Sequence, residues 1–230
     1  MNTNQKIVSI HQPNYFPWLG YFYKIYQSDI FVFLDDVQFT NEGLQNYHYI
    51  KTPQNSFRLK IPVKYRFGDM IYDVQPRYEL NWVIKHLKTI EMSYKKAPFF
   101  EEIFNDYKNL ITVEYKNLAL LNISIIRFIC FKLGITTKTI LSSEMNILTV
   151  KEEKVLDICN ELQASVYYSG NGAKVYQKEK DFTIRGLELR YSNFIPFEYP
   201  QLWGPFQSNV TILDYLMNCG YDWNRMVKNQ

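Results

Sequence analysis

The chain has 230 residues, 47% of them hydrophobic and 21% charged, with a formal net charge of +3. That length is enough for one domain, residues 1–230, burying roughly 70% or more of its unfolded surface, and so small and dispersed a charge argues against a nucleic-acid-binding face. Three cysteines, Cys130, Cys159 and Cys219, are far apart and odd in number, which argues against a disulfide framework and a paired zinc site.

The opening MNTNQK has no apolar signal region, and no run approaches the roughly 18–20 apolar residues of a membrane span. A reducing cytoplasm is the expected compartment, with no membrane partner. Aromatic content reaches 17%, chiefly 19 Tyr and 16 Phe. Such rings pack a core, and tyrosine also suits the wall of a sugar or nucleoside pocket.

Residues 7–36 carry the most information. The apolar run Ile7-Val8-Ser9-Ile10 stops at His11-Gln12-Pro13, an elbow rich in Pro, Asn and Trp follows, and a helical stretch leads to Phe31-Val32-Phe33-Leu34 and then Asp35-Asp36. Two buried strands with a helix between them begin an open α/β sheet, in which ligands collect at the carboxyl ends of the strands. Val37 to Gln45 reads as a polar loop. Asn46 to Lys51 and Phe57 to Val63 form a hairpin across the Thr52–Asn55 turn, and a short edge strand is expected within Phe67 to Gln75. Helical spacing follows from Asn81 to Tyr94, from Phe100 to Tyr107, and from Leu118 to Leu133, the last apolar nearly all round and stopped by Gly134. Then come a strand at Thr139–Leu141, an amphipathic helix at Lys151–Leu162, a buried strand at Val166–Tyr168, a late strand at Leu187–Phe194, and a helix at Thr211–Cys219 closed by Gly220. The fold class is α/β: a mixed, largely parallel open sheet with flanking helices and a β-hairpin insertion.

The polar residues at strand ends are the candidates for chemistry. His11 is a candidate general base or phosphate donor, or simply a hydrogen-bonding partner of the elbow. Gln12 and Asn14 suit a ligand amide or hydroxyl, and Lys24, one turn into the helix, suits an anion or plain solvation. Asp35 and Asp36 read as a hydroxyl acceptor, an orienting partner for His11, a carboxylate for magnesium, or strand-end caps; no metal ligand set is assigned. Lys51, with Lys60, Lys64 and Arg66, offers a phosphate or carboxylate contact against a solvated hairpin face. Ser169-Gly170-Asn171-Gly172-Ala173 has the composition of an anion-cradling loop, or of a plain turn, and matches neither GxGxxG nor a P-loop. Tyr199-Pro200-Gln201 with Trp203-Gly204-Pro205-Phe206 reads as a rigid aromatic loop.

At HQPNYFPWLGYFYKI and DIFVFLDDVQF, and then through NYHYIK, YKKAPFF, YYSGNGAKVY and YPQ to TILDYLMNCG, the chain resembles the WbqC-like protein family over nearly its whole length. The family motif positions correspond here to His11, Gln12, Pro13, Tyr15, Pro17, Trp18, Gly20, Lys24, Asp35, Asp36, Gln38, Phe39, Asn46, Lys51, Ser169, Gly170, Gly172, Tyr176 and Gln201. Where relatives often carry Asn-Arg-Asn in the hairpin, this chain has Asn46-Tyr47-His48.

The resemblance implies an accessory enzyme of bacterial surface-polysaccharide biosynthesis, including O-antigen, that attaches an acyl or aminoacyl group to an amino-sugar nucleotide. In that reading His11 and Asp36 are catalytic, with Gln12 and the Ser169–Ala173 loop as oxyanion donors. Tyr15, Trp18 and Tyr176 stack on sugar or base. The partners are a sugar nucleotide and an activated donor, with aminoacyl-tRNA the one nucleic acid still open; no cofactor is assigned. Two other readings stand beside it: an ATP-dependent ligase or nucleotidylyltransferase-like enzyme, lacking a second histidine because Tyr21 follows Gly20, and a sugar-nucleotide-binding protein without chemistry.

Overall fold

The computed structural model describes residues 5–175 and 177–230. In chain order its elements are β1 (Ile7–His11), α1 (Leu19–Tyr26), β2 (Ile30–Phe33), β3 (Tyr47–Lys51), β4 (Ser56–Lys60), β5 (Val63–Lys64), β6 (Gln75–Pro76), α2 (Trp82–Tyr94), α3 (Phe100–Ile111) and α4 (Leu118–Lys132), followed by β7 (Lys138–Leu141), α5 (Lys151–Glu161), β8 (Val166–Ser169), α6 (Glu179–Ile184), β9 (Glu188–Tyr191), α7 (Ile212–Cys219) and α8 (Trp223–Val227). Chain contacts divide it into two compact units.

The first unit holds Met1–Gln12, Gly20–Val37 and Ile135–Phe194. Its five strands run in the order β7-β2-β1-β8-β9, and every pairing is parallel. A parallel sheet is buried on both faces, so its strands read as apolar runs; β2, Ile-Phe-Val-Phe, is buried at all four residues. Val8 and Ile10 of β1 point to one face and join Leu156, Ile158, Cys159, Tyr167, Phe182 and Leu187 in a single core. Tyr167 stacks on Phe182 with centroids 5.5 Å apart. Ser9 points to the other face, where its hydroxyl donates to the Tyr168 carbonyl at 2.8 Å and lies 2.7 Å from the Ser28 hydroxyl.

The second unit holds Pro13–Leu19, Gln38–Gly134 and Ile195–Gln230. The hairpin of β3 and β4 is antiparallel, and its turn is closed by Thr52, whose amide and hydroxyl both donate to the Asn55 carbonyl at 3.0 and 2.6 Å. The single strand expected from Phe57 to Val63 is divided in two, because Pro62 has no N–H to give a ladder. Beyond it, Val63–Lys64 pairs with Gln75–Pro76, and the edge strand expected within 67–75 is instead a 3₁₀ turn at Ile71–Asp73 followed by that two-residue strand. Helix α4 buries nine of its fifteen residues, which answers for its uniform apolarity, and Asn117 caps it by accepting from the Leu120 amide at 2.8 Å. The short helices α6 and α8 were not expected from the sequence.

Gly220 ends α7 with φ 68° and ψ −160°, a conformation essentially reserved for glycine, and a Cβ there would sit 2.9 Å from the Phe99 ring. Gly220→Ala is therefore expected to lower unfolding stability by about 2 kcal/mol, read as a reduced urea midpoint at unchanged m-value.

Candidate functional site

The strand order fixes where the first unit can hold a ligand. From β1 the chain proceeds outward to β2 and β7 on one side and to β8 and β9 on the other, so the order reverses between β1 and β8. The crevice beyond the carboxyl ends of such a pair is the usual binding place in open parallel sheets. The residues at those two ends are His11 and Ser169.

His11 is half-buried and its ring meets the edge of Tyr21 at 4.8 Å between centroids. Its Nδ1 lies 3.0 Å from the Gln12 carbonyl, which can only accept, so Nδ1 carries the proton and Nε2 keeps its lone pair. The Tyr21 hydroxyl donates to the same carbonyl at 3.0 Å. Burial, and then the charge of Lys24, push the imidazole down to about 3, against the opposing effect of the Gln12 carbonyl. The ring is therefore neutral at physiological pH. Lys24 itself is 4% exposed, donates to the Ile10 carbonyl at 3.0 Å, and is pushed down to about 7 by burial. Its stem points inward, where a solvated lysine was one expectation.

Asp35 and Asp36 follow β2 and are tied to the β7 side of the sheet. The Ser143 amide and hydroxyl donate to the Asp35 carboxylate at 3.0 and 2.7 Å. Asp36 lies 2.5 Å from the Ser142 hydroxyl and makes an ion pair at 2.7 Å with Lys154, whose side chain is 6% exposed. Lys154 also donates to the Ile147 carbonyl at 2.8 Å. The hydrogen bond that orients His11 thus comes from a backbone carbonyl, not from an aspartate, and Asp36 is bound in a strand-end clamp instead of a catalytic pair. Ser142, Ser143 and Lys154 were missed in the sequence; the adjacent serines at the end of an apolar strand were the only local signal.

The glycine loop takes the plain-turn alternative. Residues 171–175 form a 3₁₀ turn, the Ala173 amide bonds the Gly170 carbonyl at 3.0 Å, and neither Gly170 nor Gly172 has a positive φ. A Cβ at either would meet nothing within 4 Å, so no close backbone approach requires glycine there. Ser169 is buried and donates to Gln177 at 2.9 Å, while Asn171 is exposed. Tyr176 lies outside the described residues.

In the second unit most of the motif residues are scaffold. Tyr15 is 1% exposed, its hydroxyl 3.2 Å from Nδ1 of His86, so it cannot stack on a sugar as expected. His86 donates through Nε2 to the Lys60 carbonyl at 3.3 Å, which leaves Nδ1 to accept. The elbow is pinned by the Asn122 amide, which donates to the Pro13 and Gln45 carbonyls at 2.9 and 2.7 Å, and by the Thr211 hydroxyl on the Phe16 carbonyl at 2.6 Å. Phe16 takes φ 41°, rare for an aromatic residue. Asn14 is buried; Trp18, 39% exposed, and Gln38 are open to solvent. Asn46 donates to the Ile61 carbonyl at 3.2 Å.

Lys51, expected to contact a phosphate or carboxylate, is turned onto the aromatic loop. Its Nζ donates to the Gln201 side chain at 3.0 Å and to the Gly204 and Pro205 carbonyls at 3.4 and 2.6 Å, which occupies all three protons. Gln201 in turn accepts from the Gln207 amide at 2.9 Å, so two motif residues lock the aromatic loop onto β3. Lys60 lies 3.9 Å from Glu42, and Arg58 lies over the Tyr47 ring at 4.4 Å, supplying a cation where the hairpin carries tyrosine. Beside this strap Asp214 is fully buried and accepts from Tyr94 and Tyr199 at 2.9 and 3.0 Å; burial pushes its carboxyl up to about 6.

The chain belongs to the WbqC-like protein family, whose family model matches residues 12–226. An uncharacterized protein of Mycobacterium tuberculosis is 34% identical over 219 residues, 94% of each chain. No solved structure matches. Among the described residues no helix is long and apolar enough to cross a membrane, and no cluster of three or more His, Cys, Asp or Glu could hold a metal ion.

Two outcomes are expected. Asp36→Asn strands a buried ammonium and should cost about 3 kcal/mol in urea unfolding, most of it regained in the Asp36→Asn/Lys154→Met double variant. For Asp214 the folded value lies above the unfolded 3.8, so its favourable contribution is complete below about pH 4 and lost as pH rises through 6. Wild type should therefore lose about 2–3 kcal/mol relative to Asp214→Asn between pH 4 and 7, measured as the difference between their two stability-versus-pH curves.

Proposed function

We propose that this chain is an enzyme of bacterial surface-polysaccharide (O-antigen) biosynthesis that transfers an acyl or aminoacyl group to the amine of an amino-sugar nucleotide. The supporting observation is the imidazole at the carboxyl end of β1, half-buried and neutral, with Nδ1–H held by Gln12 and Nε2 left as a proton acceptor. The neutral amine of the sugar adds to the acyl carbonyl, forming the C–N bond. Nε2 takes the proton that nitrogen then loses and returns it to the leaving group as the bond between acyl carbon and donor breaks. A weak base suffices for this step, because the N–H of the charged tetrahedral adduct is more acidic than a free ammonium. Gln12 and Asn171, at the ends of β1 and β8, are the candidate donors to the developing oxyanion. A thioester or acyl adenylate suits the weak overall charge of +3 better than aminoacyl-tRNA. Chemistry on sugar nucleotides fits a cytoplasmic location.

A second reading, a nucleotidylyltransferase-like ATP-dependent ligase, is favoured by the strand order, which reverses beside the histidine-bearing strand. That likeness is one of fold alone. It requires pyrophosphate release from ATP in the presence of a carboxylic acid; silence in that assay from a protein that accepts a preformed thioester would remove it. For the transferase itself, His11→Ala should slow product formation by roughly 10²–10⁴-fold while sugar-nucleotide affinity is retained. Loss of affinity in a protein that never shows turnover would instead leave a binding protein without chemistry.

A further inference from the structure

Lys24 is a buried lysine with no carboxylate beside its ammonium among the described residues. Its side chain is enclosed at 4% exposure, its ammonium has one hydrogen bond among the described residues, to the Ile10 carbonyl at 3.0 Å, and the Phe31 ring of β2 lies 5.8 Å away. Burial alone acts on its proton affinity; no carboxylate offsets it. The nearest acidic residue in sequence, Asp29, accepts from the Ile7 amide at 2.7 Å, and Asp35 and Asp36 are held by Ser142, Ser143 and Lys154 on the β7 side. The titratable groups beside Lys24 are His11 on β1 and, one turn earlier on α1, Tyr21, whose hydroxyl is given to Gln12.

An unpaired ammonium desolvated in a fold is costly, and among the described residues only one of its three donors has an acceptor. It stands behind the last residues of β1, next to the point where the strand order reverses. We propose that Lys24 supplies the charge for a phosphoryl-binding subsite in this crevice, so that a diphosphate group docks against the His11 end of β1 and draws a proton onto the lysine as it binds. This rests on the sugar-nucleotide reading above and names the part of the substrate that β1 and α1 recognise. The proton balance is simple. The free protein holds Lys24 largely as the neutral amine at pH 8, the phosphoryl anion stabilises the ammonium, and the proton comes from solvent.

The test is isothermal titration of the whole protein with pyrophosphate as its P1,P2-dimethyl diester, which carries no proton between about pH 5 and 9, in buffers of different ionisation enthalpy. The expected result is uptake of close to one proton per site at pH 8 and close to none at pH 5.5, where Lys24 is already charged. Lys24→Met should fold and melt no lower than wild type, lose the uptake at pH 8, and bind pyrophosphate about 10- to 100-fold more weakly. His11→Gln should keep the uptake at pH 8, because its imidazole does not titrate there. Failure of wild type to bind pyrophosphate, binding without uptake, or uptake undiminished in Lys24→Met each overturns the proposal. Acetate that binds with uptake while pyrophosphate does not would overturn the phosphoryl assignment in favour of a carboxylate. The wild-type pH series alone decides the matter should Lys24→Met not fold. Pyrophosphate binding through Lys24 in a protein without acyl transfer would sink the transferase reading and leave the subsite standing; normal transfer by Lys24→Met would do the reverse.

Discussion

Two donors converge on one carbonyl at the end of β1, and the chemistry available at that edge follows from it. Gln12 offers its C=O to the His11 imidazole and to the Tyr21 hydroxyl, both at 3.0 Å. Because a carbonyl accepts and never donates, this one contact decides the tautomer of His11 and leaves Nε2 for other work. Tyr21 and Lys24 stand one turn apart on α1, so the same helix that steadies Gln12 also places a charge beneath Ile10. A parallel sheet has no edge at β1 to supply such groups; they must come from the residues immediately after the strand and from the crossover helix.

The second unit spends its polar residues inwardly. Lys51 gives all three protons to the strap at Gln201–Pro205, and Asp214 takes two tyrosine hydroxyls in a dry interior. Breaking either set would leave a buried charged group short of partners, which is why these residues stabilise the loop and α7 so directly. The elbow residues Tyr15 and Phe16 are likewise core, with Tyr15 T-shaped against His48 at 4.9 Å. In the second unit motif membership therefore mostly marks architecture.

Local pattern made the sheet and the hairpin legible. Ile7–Ile10 and Phe31–Leu34 are apolar runs of strand length ending in polar residues, the long apolar helix stops at Gly134 with φ 71°, and Thr211 and Gly220 bracket α7. What could not be read was which polar residue meets which. Lys51 and Gln201 are 150 positions apart, and nothing near either one announces the other. Asp35 and Asp36 adjoin His11 in the order of strands, yet the turn after β7 offers two serines and α5 offers Lys154, and together these capture both. Tyr15 was assigned to a ligand because tyrosine is amphipathic; a histidine 71 residues onward satisfies its hydroxyl inside the core. Gly170 and Gly172 show the limit of composition, since a glycine-rich loop is an anion cradle only if its φ angles and amides are arranged for it. Asn122, the lone amide in an apolar helix, held a signal that went unread.

The contrast between the two buried lysines of the first unit carries the functional argument further than either alone. Lys154 has a carboxylate at 2.7 Å and a carbonyl at 2.8 Å, the arrangement expected of a structural cation. Lys24 is as well enclosed and has a single carbonyl. A leucine or methionine would fill the same space on α1 without the desolvation cost, so packing gives no reason for an ammonium there. The proposed phosphoryl group would supply one, and a neutral imidazole stands at that same end of β1.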